Sequence, residues 1–141
     1  MALALVALIA LAGTALADNF QGSTSDGGYA RVKTNERNIP ELLVIRWHAE
    51  CGADGVFYRS KNLFAGPYRS QSRNHFRGFK RYRNNDLDDG FSSVVTAQYR
   101  GRRVAANRWS GTFQAWVIVK EDGDFFTRCR TGELRWTTVR G

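Results

Sequence analysis

The densest chemical feature of the chain lies between Tyr68 and Arg83. There Arg69, Arg73, Arg77, Lys80, Arg81 and Arg83 are interleaved with Tyr68, Phe76, Phe79 and Tyr82. Guanidinium groups neutralise phosphates or carboxylates, and aromatic faces stack on bases or sugar rings. A groove that holds an anionic polymer needs both. The candidate polyanion-binding set is therefore Arg69, Arg73, Arg77, Phe79, Lys80, Arg81, Tyr82 and Arg83, with Arg100, Arg102, Arg103 and Arg108 available to extend it. The same segment also suits a solvated edge strand, on which positive charge discourages edge-to-edge aggregation.

Other constellations carry less chemistry. His48 and His75 are the only histidines, and His48 lies two residues from Glu50 on one face of a strand. A His, a Glu and nearby arginines are what a small nuclease uses as acid, base and phosphate clamp. No nuclease motif accompanies them, and G-x-S-x-G, H-E-x-x-H and a glycine-rich phosphate loop are all missing. No catalytic residue and no cofactor is therefore assigned. The acidic run Asn84 to Gly90 resembles a calcium loop but fails by position. Counted from Asn84, the sixth residue is Asp89 where Gly is required, and the twelfth is Val95 where a bidentate Glu belongs. With two histidines and two cysteines, zinc has too few ligands, and no metal site is assigned.

The ends and the composition bound the setting. Ala2 to Ala12 is an unbroken apolar run, and Ala15-Leu16-Ala17 is a small-x-small site, so residues 1–17 read as a signal peptide cleaved before Asp18. The pattern departs from the usual one in having no Lys or Arg ahead of the apolar run. Residues 18–141 then suit a single exported domain, and no later run is long enough to be a transmembrane segment. Cys51 and Cys129, the only cysteines, should pair in an oxidising compartment. All 21 Lys and Arg and all 13 Asp and Glu lie beyond residue 17, which leaves a net charge of +8 on the domain. Such a balance favours nucleic acid or anionic polysaccharide as partner, and equally serves solubility.

The elements that must position these residues are strands. Glu41 to Cys51 alternates, with Leu43, Ile45, Trp47, Ala49 and Cys51 on one face. Phe91 to Arg100, Gly111 to Lys120, Phe125 to Arg130 and Glu133 to Val139 read the same way. Weaker strands are expected near Phe20–Thr24, Tyr29–Thr34, Val56–Arg59 and Phe76–Tyr82. Asp122-Gly123 should turn one hairpin, with Gly123 as a bulge that aligns Phe125 and Cys129 with Val117 and Val119, and leaves Phe126 beside Trp116 and Ile118. An aromatic-x-Gly step recurs at Phe20, Phe76, Tyr99 and Trp109, and glycines within strands mark the bends that curved sheets require. The expected fold is an all-β antiparallel barrel of about eight strands, or a sandwich if the sheet does not close.

Four pieces together resemble a family of small secreted bacterial domains found in high-GC actinobacteria: Phe20-x-Gly22-x-Thr24, Cys51 after a long strand, Gly111-Thr112-Phe113, and Cys129-x-Thr131-Gly132 followed by Trp136. The likeness implies export, the disulfide and an all-β fold, and it carries over no catalytic or binding residue. The functional expectation is a secreted, non-catalytic binding or structural module at the cell envelope or outside it. A small secreted hydrolase and a protein-binding inhibitor module are the alternatives. Intact-mass analysis of exported protein should show a chain beginning at Asp18 that takes up no thiol reagent before reduction. A species retaining residues 1–17, or one alkylated without reductant, would contradict this reading.

Overall fold

Each long strand alternates small or apolar inward residues with polar outward ones, and the fold follows from wrapping the inward set. The computed structural model describes residues 17–52, 56–85 and 87–141. The apolar run and Leu16 of the expected cleavage site lie outside the described residues, as does Asp86 of the acidic stretch. The described chain is built from ten antiparallel strands: β1 (Asn19–Thr24), β2 (Tyr29–Thr34), β3 (Pro40–Cys51), β4 (Val56–Ala65), β5 (Ser70–Gln71), β6 (His75–Asn84), β7 (Phe91–Ala105), β8 (Arg108–Glu121), β9 (Asp124–Arg130) and β10 (Leu134–Arg140). All the expected strands are present. The strand not named from sequence is the two-residue β5, which carries no pattern to read, and it and the other nine exceed the barrel of about eight that was expected.

Backbone pairing closes a ring in the order β10-β1-β2-β3-β9-β8 and back to β10. The two longest members make this possible. On one side β3 pairs first with β2 and then, at Glu50 and Cys51, with β9. In the same way β8 pairs with β10 over Arg108–Phe113 and with β9 over Trp116–Glu121. Three strands thus span the ring at one end and a single strand spans it at the other. On their remaining sides β3 carries β4, and β8 carries β7 and then β6 and β5.

The narrow end is joined by little backbone. β3 and β9 share only the pairs Glu50↔Arg130 and Cys51↔Cys129. Cys51 and Cys129 form the disulfide expected from sequence, across a separation of 78 residues. The chain-entropy model assigns a loop of that length about 4.5 kcal/mol. That is more than two ladder hydrogen bonds contribute net, at about 1 kcal/mol each.

Inside the ring, large rings lie where glycines leave room. Phe76, Gly101, Gly111 and Trp136 are successive cross-strand neighbours on β6, β7, β8 and β10. A Cβ on Gly101 would stand 2.3 Å from Phe76, and one on Gly111 would stand 2.4 Å from Trp136 and 2.0 Å from the Arg100 carbonyl oxygen. The two rings stack with centroids 6.0 Å apart. One row along, Tyr99 covers Gly78 in the same manner. At Phe76, Tyr99 and Trp109 the aromatic-x-Gly step is therefore an inward ring followed by an inward gap that a neighbouring strand's ring fills, whereas Gly22 after Phe20 meets the Thr137 backbone. Trp47, Trp109 and Trp136 are all fully buried in this interior, and each such residue contributes roughly 2–3 kcal/mol of apolar burial.

The β8–β9 hairpin corrects one expectation. Asp122 and Gly123 both have positive φ, and Glu121 pairs with Asp124 and Lys120 with Phe125. This is the two-residue type I′ turn that Asp-Gly favours. The extra residue is Phe126, between the pairs Lys120↔Phe125 and Val119↔Thr127. Cys129 still meets Val117, as expected, but the two phenylalanines exchange places. Phe125 is 61% exposed on the outer face under Arg128, and Phe126, also exposed at 52%, lies edge-on to Phe91 on the other face.

Gly111→Ala should lower stability by about 2–3 kcal/mol, since the added methyl meets both a backbone carbonyl and a buried indole. Urea unfolding at fixed pH measures it. A midpoint within error of the parent would show that the ring does not need the gap.

Candidate functional site

β6 alternates strictly, so the basic segment is divided between its two faces. His75, Arg77, Phe79, Arg81 and Arg83 point outward; Phe76, Gly78, Lys80, Tyr82 and Asn84 belong to the inner side. Pairing carries the outward row across the sheet. Arg77 lies beside Arg100 and then Thr112; Phe79 beside Gln98 and Gln114; Arg81 beside Thr96, Trp116 and Arg130; Arg83 beside Val94, Ile118 and Arg128. The outer face of β6–β9 is thus a plane of arginines with exposed rings set among them, Phe79 at 50% and Trp116 at 38% exposure. Among the described residues none of these arginines forms a salt bridge, the ion pairs being Lys33–Glu41, His48–Asp26 and Arg140–Asp18. The sequence grouped Trp116, Arg128 and Arg130 on one strand face, and the cross-strand register joins them to β6.

Arg69 reaches this face from the loop after β4. With Arg77, Phe79, Arg100, Thr112 and Gln114 it lines a depression of about 350 Å3, to which Glu133 contributes the one carboxylate. A second hollow, about 710 Å3, opens between the ends of β4 and β6 and shares Arg69, Phe79 and Tyr99 with the first. Phe79 stands between the two. Arg73, in the turn between β5 and β6, is exposed and lines neither.

The other members of the sequence-derived set serve the fold. Tyr68 is buried, stacks on Phe76 at 5.0 Å and donates a hydrogen bond from its hydroxyl to the Phe64 carbonyl at 2.7 Å. Lys80 extends over the rings of Phe64 and Tyr82. Tyr82 donates to Asn62 Oδ1 at 2.9 Å, and the same oxygen accepts from Trp47 Nε1 at 2.8 Å and from Ser60 Oγ at 3.2 Å. β4, and β6 beyond its short pairing with β5 at Phe76 and Arg77, are free edges of the sheet and run antiparallel beside one another, an odd number of antiparallel steps apart. Among the described residues they share no backbone pairing, and Asn62 is the hub of the side-chain seam between them. Arg103 also leaves the patch: it lies on the inner side, over Phe20 at 5.6 Å and Trp109 at 5.2 Å. Burial there lowers its pKa, and Arg140 beside it adds to the effect.

A separate cluster surrounds His48. Sequence placed His48 with Glu50, and the two do share a face, but the partner of His48 is Asp26 from the β1–β2 turn, with Nδ1 to Oδ2 at 3.2 Å. The turn folds over β3 at Arg46 and delivers the carboxylate. No signal in the sequence links residues 26 and 48, since their approach depends on that crossing. No known protein family matches the chain, and neither do characterised proteins or solved structures.

Three tyrosines at the seam and beneath the outer face, Tyr68, Tyr82 and Tyr99, have pKa values raised, foremost by burial. Their phenols stay protonated in the folded chain at pH values where the unfolded chain loses the protons. The stability these tyrosines contribute should therefore be fully present below about pH 10 and be lost above it. Urea midpoints measured from pH 8 to pH 11.5 check this, and a midpoint that rises above pH 10 would contradict it.

Proposed function

We propose that this protein is an exported, non-catalytic binding module, acting at the cell envelope or outside it, that holds an anionic polymer on the outer face of β6–β9. One observation carries the reading: Arg77, Arg81, Arg83, Arg100, Arg128 and Arg130 share a face with Phe79 and Trp116 and have no carboxylate partner among the described residues. A net charge of +8 draws polyanions to it over a Debye length of about 8–10 Å. The disulfide supports an oxidising compartment. The likeness to small secreted bacterial domains supports the same setting. Phosphates or carboxylates meet the guanidinium forks, while Phe79 and Trp116 offer faces for bases or sugar rings.

The alternation of β6 sharpens which residues matter. Arg77, Arg81, Arg83 and Phe79 reach a ligand on this face, whereas Tyr82 is held inward by Asn62. Binding of single-stranded DNA and of an acidic glycan, each measured over a range of salt, tests the proposal. Log K should fall linearly with log salt, by about 0.7 per neutralised phosphate for the single strand. Arg77→Ala, Arg81→Ala and Arg83→Ala together should weaken binding and flatten the slope. Phe79→Ala should cost about 1–3 kcal/mol and leave the slope unchanged. Binding that persists unaltered in the triple variant, or that is absent for both polymers near physiological salt, would overturn the reading.

A further inference from the structure

The β1–β2 turn holds a carboxylate in a fixed position against an imidazole, away from the arginine face. Thr24 Oγ1 donates to Asp26 Oδ1, and the Gly28 amide donates to Thr24 Oγ1 at 2.7 Å and to Asp26 Oδ1 at 3.3 Å. Those bonds engage one carboxylate oxygen. The other, Oδ2, is buried and faces His48 Nδ1 at 3.2 Å. Oδ2 accepts no hydrogen bond, so its contact with His48 is one of charge proximity and fixes neither tautomer of the ring. Phe57 meets the imidazole edge-on at 5.5 Å and fixes its plane.

Cations line the hollow that His48 shares. Arg59 is the direct cross-strand partner of His48, and Lys61 is that of Arg46. Arg46, Arg59 and Lys61 line a depression of about 510 Å3 together with His48, Phe57 and Asp26. Asp26 is the carboxylate packed against the imidazole, and Glu50 is the next outward residue on β3, opposite Phe57 and Arg130. The lining therefore carries three fixed positive charges against the one negative charge of Asp26, and a further positive charge whenever His48 is protonated.

We infer that this depression is a second anion site, which takes a tetrahedral oxyanion such as a phosphate or sulfate group, with His48 as its proton-dependent donor. Arg59 supplies a planar fork for two of the oxygens, Lys61 and Arg46 supply point charge, and His48 adds an N–H donor when protonated. Proton and anion then favour each other, and the site releases its anion as the pH rises.

The oxidised full-length protein tests this by NMR, because its two histidines give a probe and a control. His75 lies between the hydroxyls of Ser70, 3.1 Å from Nε2, and Ser72, 2.8 Å from Nδ1. Phosphate and sulfate are added in separate arms, with chloride keeping ionic strength constant, and both ring signals are followed against pH. One or both anions should raise the His48 midpoint by about half a unit or more, a coupling of roughly threefold. His75 should stay in place. The arm with the larger shift tells whether phosphate esters or sulfated polymers are the better source of the group. Arg59→Ala with Lys61→Ala, both exposed, should remove the shift, and Lys61→Gln alone should reduce it. A His48 midpoint unmoved by both anions, moved equally with that of His75, or moved unchanged in the double variant would overturn the site. This site and the β6–β9 face can fail separately, since Arg77, Arg81 and Arg83 are intact in these variants.

Discussion

Phe76 and Trp136 lie over Gly101 and Gly111, and that contact governs the curvature of the whole sheet. A side chain at either glycine would push the rings off the inner wall, and the strands would flatten. With the rings in place, β6, β7, β8 and β10 bend around a shared aromatic stack. The consequence reaches the other side of the same strands. Curving inward over the stack splays the outward residues, and Arg81 and Arg83 lie opposite Thr96 and Val94 rather than like charges. Like-charged side chains directly opposite are destabilising on a sheet. Arg77 opposite Arg100 is one such pair, tolerated beside a hydrogen bond from Arg100 Nε to Thr112 at 3.0 Å.

Much of this was legible from period and punctuation. The inward face of β3 was readable because Leu43, Ile45, Trp47, Ala49 and Cys51 repeat every second residue, and all five are buried. The Asp-Gly turn was readable because few dipeptides accept two positive φ angles. The bulge was harder to place. Two adjacent phenylalanines satisfy either register, and which one faces inward depends on Phe91, a residue more than thirty positions away. The glycine steps were visible as a pattern, but their purpose lies in rings supplied by other strands.

The candidate site was legible in composition and not in partition. A run as rich in arginine and aromatics as 68–83 announces its chemistry. Alternation then sends Tyr82 and Lys80 to the seam and leaves Phe79 exposed, and the loop geometry buries Tyr68. Long-range crossings hid the rest. Asp26 meets His48 because one hairpin turn folds over a neighbouring strand, and Arg128 joins Arg83 because β8 lies between β9 and β7.

The seam between β4 and β6 has a consequence for motion. Elsewhere the strands are joined by ladders of amide hydrogen bonds, which part only with the fold. Here closure rests on side chains: Tyr82 donates to Asn62, Asn84 donates to the Tyr58 hydroxyl at 3.5 Å, and Lys80 lies across two rings. Such a joint can part at far less free energy than global unfolding, because no strand need leave its ladder partner. On the β4–β6 side, outside the backbone-closed ring, the wall is therefore a cuff with a clasp rather than a welded tube. Transient entry of solvent to the aromatic interior is channelled to the one line where Asn62 lets go.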